Sequence, residues 1–77
     1  MSDAQVQHTI AQLVPEGAHV LDLGCGDGAL LQHLITTRRC TGYGIEIDDG
    51  NVLACVRRGV NVLPLNLHEG LKAVREQ

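Results

Sequence analysis

The chain has 77 residues, 44% of them apolar, with a formal net charge of −3 and one aromatic side chain, Tyr43. That length allows at most one small domain, burying only about 60% of its unfolded surface, and the apolar fraction is that of a globular protein and does not indicate disorder. The acidic balance and lack of aromatic stacking platforms argue against nucleic-acid binding, and no apolar run approaches the roughly 18–20 residues of a membrane span.

Ser2 to Val14 carries Val6, Ile10, Leu13 and Val14 at helical spacing, with Ser2 or Asp3 to cap it and Pro15-Glu16-Gly17 to stop it. His19 to Leu23 reads as a first strand. Gly28 to Thr37 reads as a second helix, with Leu30, Leu31, Leu34 and Ile35 as its buried stripe and Asp27 as N-cap. Thr41 to Ile47 is a second strand, and Asp48-Asp49-Gly50 leads into a third helix, about Asn51 to Arg58, burying Val52, Leu53 and Val56. Gly59 is suited to the left-handed position that ends it. Val60 to Leu65 is a third strand, and Glu69 to Gln77 has one or two helical turns. The doublets Arg38-Arg39 and Arg57-Arg58 fall at helix C-termini, where cations complement the macrodipole.

The order helix-β-α-β-α-β predicts an α/β fold with a parallel sheet. Crossovers that step in one direction place both connecting helices on one face. The strands are nonetheless apolar on both faces, as strands covered on two sides are. One face is therefore expected to lack cover, and the chain to be a partial domain that self-associates when isolated.

Three cysteines, Cys25, Cys40 and Cys55, show no Cys-x-x-Cys spacing, so neither a disulfide framework nor a metal site is expected. Without an apolar leader segment, the expected compartment is a reducing cytoplasm. His8, His19, His33 and His68 lack ligand spacing, and no catalytic base or nucleophile pair can be assigned. Cys25 opens a helix but lies between two acids, which favours packing over reactivity.

The run Val20-Leu21-Asp22-Leu23-Gly24-Cys25-Gly26-Asp27-Gly28 is the chemically informative one. A strand, a glycine-rich turn and a helix in direct succession place a nucleotide-like ligand against backbone amides. Asp22 and Asp27 bracket the turn and would repel a pyrophosphate, so a ligand with cationic centres, S-adenosylmethionine, fits better than NAD or ATP. Gly24-x-Gly26-x-x-Ala29 also satisfies the dinucleotide pattern, which keeps NAD as the runner-up. Glu46, 18 residues beyond Gly28 and flanked by Ile45 and Ile47, stands where an acid reaches a ribose diol.

These residues resemble motif I and the acidic second-strand end of class I S-adenosylmethionine-dependent methyltransferases. Gly42-Tyr43-Gly44-Ile45-Glu46-Ile47-Asp48, Asn51-Val52, Cys55-Val56, Arg58-Gly59-Val60-Asn61-Val62 and Glu69-Gly70-Leu71 narrow the resemblance to the MetW family of methionine biosynthesis, across nearly all of positions 15 to 71. The resemblance implies the N-terminal half of a Rossmann-like S-adenosylmethionine-binding fold, with homoserine O-acyltransferase as the partner whose activity is supported. By position, Asp22, Gly24, Cys25, Gly26, Asp27 and Gly28 would surround the methionine moiety, Glu46 would hold the ribose, and Ile47 would pack on adenine. Asn66 falls where such proteins carry the Asp of a Gly-Asp-Leu run; here the run is Leu65-Asn66-Leu67. Two other readings are an ordinary small-molecule methyltransferase fragment and an interaction module that binds no cofactor.

Overall fold

The computed structural model describes residues 3–66, 68, 69, 72 and 75. Helix α1 (Asp3–Leu13) precedes strand β1 (His19–Leu23), helix α2 (Ala29–Arg38), strand β2 (Thr41–Ile45), helix α3 (Asp49–Arg57) and strand β3 (Val62–Leu63). The three strands form one parallel sheet in the order β1-β2-β3, in register from His19 against Thr41 to Leu23 against Ile45, with Ile45 against Leu63. The expected α/β fold and parallel sheet are present.

Strand alternation sorts the side chains. Val20 and Val62 face the helices and join a core of Cys25, Leu31, Cys55 and Val60. Val20 also borders a second cluster of Ala11, Leu34 and Cys40. On the opposite face Leu21, Leu23, Tyr43 and Leu63 are 43–60% exposed, with Ile45 buried between them. All described cover thus lies on one side, as the crossover argument predicts.

The differences from expectation have local causes. In α1 the buried residue is Ala11, and Leu13, expected in the stripe, is 79% exposed. A small side chain there lets α1 lie close against Leu34 of α2. In α3 Leu53 and Val56 are exposed and the fully buried residue is Cys55, because the tight cleft beside Gly26 and Gly28 admits a thiol rather than a branched chain. Strand β2 ends at Ile45, two residues short of Ile47, where the Glu46 carboxylate turns back onto the amides of Ile47 and Asp48. Strand β3 shrinks to two residues from both ends: Val60 is drawn into the core and bonds back to the Cys55 carbonyl, while Pro64 has no N–H and Leu65 N–H turns back to the Leu63 carbonyl. Ser2, one of the two expected caps of α1, lies outside the described residues. Of the expected turns over 69–77, Glu69, Lys72 and Arg75 are helical and the other positions lie outside them.

Helix ends are tied to their neighbours. The Arg38 guanidinium donates to the Val14 carbonyl at 3.2 and 3.0 Å, placing a cation on the end of α1. Asp48 caps α3, its Oδ2 accepting from Asn51 N–H at 2.9 Å. Gly59 follows with φ +76°, as expected.

The apolar face left without a helix among the described residues, continuous with the β1 edge that no described strand pairs, generates a prediction. Sedimentation of the 77-residue polypeptide should show species larger than a monomer, with a broad thermal melt. A monodisperse monomer melting in one sharp transition would show that the face is not adhesive.

Candidate functional site

The C-terminal edge of the sheet carries the glycine turn. Gly24, Gly26 and Gly28 have φ of +70°, +58° and +83°, conformations that residues with a Cβ rarely adopt. Gly24 and Cys25 both donate their N–H to the Ile45 carbonyl, at 2.8 and 3.1 Å. Gly26 N–H donates to Glu46 Oε1 at 2.8 Å. Gly28 N–H donates to the Cys25 carbonyl at 3.1 Å, and Ala29 N–H to Asp27 Oδ1 at 3.0 Å. Five of the six amides from Gly24 to Ala29 thus have protein acceptors; Asp27 N–H has none among the described residues. A phosphate cradle needs several free amides, and this turn does not offer them.

The acids are placed differently from one another. Asp22 is half-buried on the helix-covered face of β1, in register with Gly44, and burial raises its carboxyl above the usual carboxylate range. It has no hydrogen-bond partner among the described residues. Asp27 is exposed. The N-cap of α2 is Gly28 rather than Asp27, because the left-handed turn carries the chain one residue further before the helix begins. Asp27 still serves the helix through its bond to Ala29, and its Oδ2 lies 3.5 Å from Arg58 Nη2. Arg58 also donates to Gln32 Oε1 at 2.9 Å. The negative field expected of Asp27 is therefore partly countered by a cation from the end of α3.

Glu46 is the most engaged side chain of the edge. Beyond Gly26, its Oε2 accepts from Ile47 N–H at 3.1 Å and Asp48 N–H at 3.0 Å. The Asp48 amide first, then those of Gly26 and Ile47, hold this carboxyl below the ordinary glutamate value, against desolvation and the Asp48 charge. Stability from these bonds is present above the unfolded value and lost as pH falls through the folded one. Asp22 has the opposite sign.

Cys25 and Cys55 pack under the turn with Sγ atoms 3.7 Å apart, and the Cys55 thiol donates to the Gly26 carbonyl at 3.3 Å. Burial first, then Cys55 and the charges of Asp22 and Glu46, push the Cys25 thiol up to about 12. Such a thiol is no nucleophile at neutral pH. Its role is to fill space.

Ile47 is 58% exposed beside Glu46. Asn66 is half-buried, but its Oδ1 takes Glu69 N–H at 3.1 Å, and no hydrogen bond joins it to Glu46 or Ile47. The structure thus brings together the turn, Glu46 and Ile47, while Asn66 stands apart as a capping residue. Two cavities lined by described residues lie elsewhere, about 610 Å³ along Ala4, Gln5, His8 and Thr9, and about 240 Å³ at the opposite ends of β1 and β2.

The chain matches the family of methionine biosynthesis protein MetW over residues 4–77. It belongs to the MetW family. A curated relative is the bifunctional methionine biosynthesis protein MetXA/MetW of Rhodopirellula baltica, 36% identical over 75 residues that cover 87% of this chain and 12% of that protein. Among solved structures, coclaurine N-methyltransferase bound to N-methylheliamine and SAH superposes with a TM-score of 0.64 at 21% identity, over 86% of this chain and 24% of that one. The likeness shows a methyltransferase-type fold, and this MetW-family chain spans about an eighth and a quarter of the two proteins' lengths.

Sequence reasoning missed three participants in this MetW-family edge: the Ile45 carbonyl, the Cys55 thiol and Arg58. No local pattern marks them, since each acts across 20 or more positions of the chain. The Gly-x-Gly of β2 was a usable signal for close packing. A methyl group on Gly44 would fall inside van der Waals contact of Cys25 Sγ and 2.8 Å from its Cβ. Gly44→Ala should therefore destabilise the fold by about 1–3 kcal/mol in urea unfolding, and adding Cys25→Ala should recover part of that. An unchanged midpoint would mean the turn is not packed on β2 as described.

Proposed function

We propose that the chain is the S-adenosylmethionine-binding part of a MetW-family protein of methionine biosynthesis, taking the ligand at the C-terminal edge of its sheet. One observation carries the choice of ligand: the amides of the glycine turn are nearly all committed within the protein. A pyrophosphate would meet few donors and the carboxylates of Asp22 and Asp27. A ligand bearing ammonium and sulfonium groups needs acceptors and negative charge instead, which these acids supply. Glu46 is assigned to the ribose, exposed Ile47 to the adenine face, and Asp22, Gly24, Cys25, Gly26, Asp27 and Gly28 to the surroundings of the methionine moiety. Asn66, its oxygen shared with Glu69, is left a secondary role at the adenine. The SAH named with the methyltransferase of like fold supports a ligand of this type.

The proposed partner is homoserine O-acyltransferase. A relative in which MetXA and MetW share one polypeptide supports an arrangement where the two act side by side. A cytoplasmic setting belongs to the same reading and agrees with three unpaired thiols. No residue of the described edge is assigned as a methyl-transfer catalyst: of the two thiols beneath the turn, that of Cys25 is pushed up to about 12 and that of Cys55 donates to the Gly26 carbonyl.

Calorimetric titration tests the ligand. A longer MetW-family polypeptide carrying this segment should bind S-adenosylmethionine or S-adenosylhomocysteine in preference to NAD, and Glu46→Ala in it should weaken that binding roughly ten- to a hundredfold, the loss of a charge-assisted contact. Asp27→Lys should weaken binding of S-adenosylmethionine, the ligand with the sulfonium, without weakening any binding of NAD. Equal or tighter binding of NAD by the unaltered protein would reverse the assignment.

A further inference from the structure

We propose that Glu46 is the positioning residue of the glycine turn: its carboxylate sets the orientation of the Gly26 peptide and so decides which backbone groups of the turn are left for a ligand. The proposal rests on the reading of this edge as a ligand site and adds to Glu46 a role that does not involve ligand contact.

The geometry is specific. Gly26 N–H is held by Glu46 Oε1 at 2.8 Å on one side of the residue. On the other side its carbonyl accepts the Cys55 thiol at 3.3 Å. With both peptide planes fixed, Asp27 N–H is the turn amide left without an acceptor among the described residues. Nothing else described accepts from Gly26 N–H; the carbonyl of the same peptide, that of Cys25, takes Gly28 N–H at 3.1 Å, and with that single bond left the glycines at 24, 26 and 28 let the plane tilt once the Glu46 bond is lost. The carboxylate itself is anchored by Ile47 and Asp48 N–H, so the end of β2 aims it.

A consequence follows for ligand recognition. A carboxylate has about four lone-pair sites, and three are taken by Gly26, Ile47 and Asp48. A ribose diol can use one free site; donating both hydroxyls displaces an amide. Gripping the diol and shaping the turn are therefore coupled through one side chain.

The test needs no ligand. In NMR spectra of the 77-residue chain, the Gly26 amide proton should follow a one-proton titration with its midpoint below the ordinary glutamate range. In Glu46→Gln, which cannot ionise and whose single oxygen is drawn to the Ile47 and Asp48 amides, the Gly26 amide should lose its acceptor, shift and stop titrating. In Glu46→Ala both the Gly26 and Asp27 amides should move, with the α2 amides of Leu34 and Ile35 unchanged as the sign of an intact fold. A Gly26 amide in the unaltered chain that ignores pH across this range overturns the proposal, and that measurement needs no variant to fold. Failure of the longer polypeptide to bind S-adenosylhomocysteine, by contrast, would overturn the ligand reading and leave the titration as it is.

Discussion

The carbonyl of Ile45 accepts two successive amides from the glycine turn, and the next residue, Glu46, accepts a third. On these three bonds the rest of the edge depends. They join the segment after β1 to the end of β2, and they work because the last residues of the two strands lie in register. The turn is consequently shaped by β2, and its amides are spent on protein before any ligand arrives. Its chemical character, poor in donors and flanked by acids, follows from that expenditure.

Packing beneath the turn obeys the same economy of space. With no Phe or Trp in the chain, the core is built from Leu, Val and thiols. Cys25 and Cys55 occupy room left by Gly44 and Gly28, where a Cβ would clash with one or the other sulfur. Glycine is needed at 28 for both its φ and its neighbour; at 44 it is needed for its neighbour alone. The thiols act as small apolar fillers, and burial keeps that of Cys25 protonated. Among the described residues the helices cover a single face, as same-handed crossovers require, with Leu21, Leu23, Tyr43 and Leu63 forming an apolar surface opposite them.

Much of the fold was legible from residue order. β1 has its expected limits, α2 is displaced by one residue, and Leu31 and Leu34 are buried as their spacing required. The face of α3 was misread because Leu53 and Val56 outweigh Cys55 on hydropathy, while the available cleft selects on size. The end of β2 was placed two residues late because Ile45-Glu46-Ile47 alternates like a strand, and only the fold-back of the Glu46 carboxylate breaks the ladder. The positions of the glycine turn and Glu46 could be read from spacing. Their mutual hydrogen bonds could not, since these depend on peptide orientations set by the sheet register. For the same reason the pairing of Asp27 with Arg58 had no signature in the sequence, whereas Asn66 with Glu69 three residues on carries a legible capping pattern.

The central claim is that the glycine turn and the end of β2 form one unit before ligand binding. Amide hydrogen exchange of the unaltered chain tests it most directly. Gly24, Cys25 and Gly26 should exchange together, with protection comparable to that of Gly44, whose N–H lies within the sheet and donates to the Asn61 carbonyl. Exchange of the three turn amides at the rates of an unfolded chain, while Gly44 remains protected, would contradict the account.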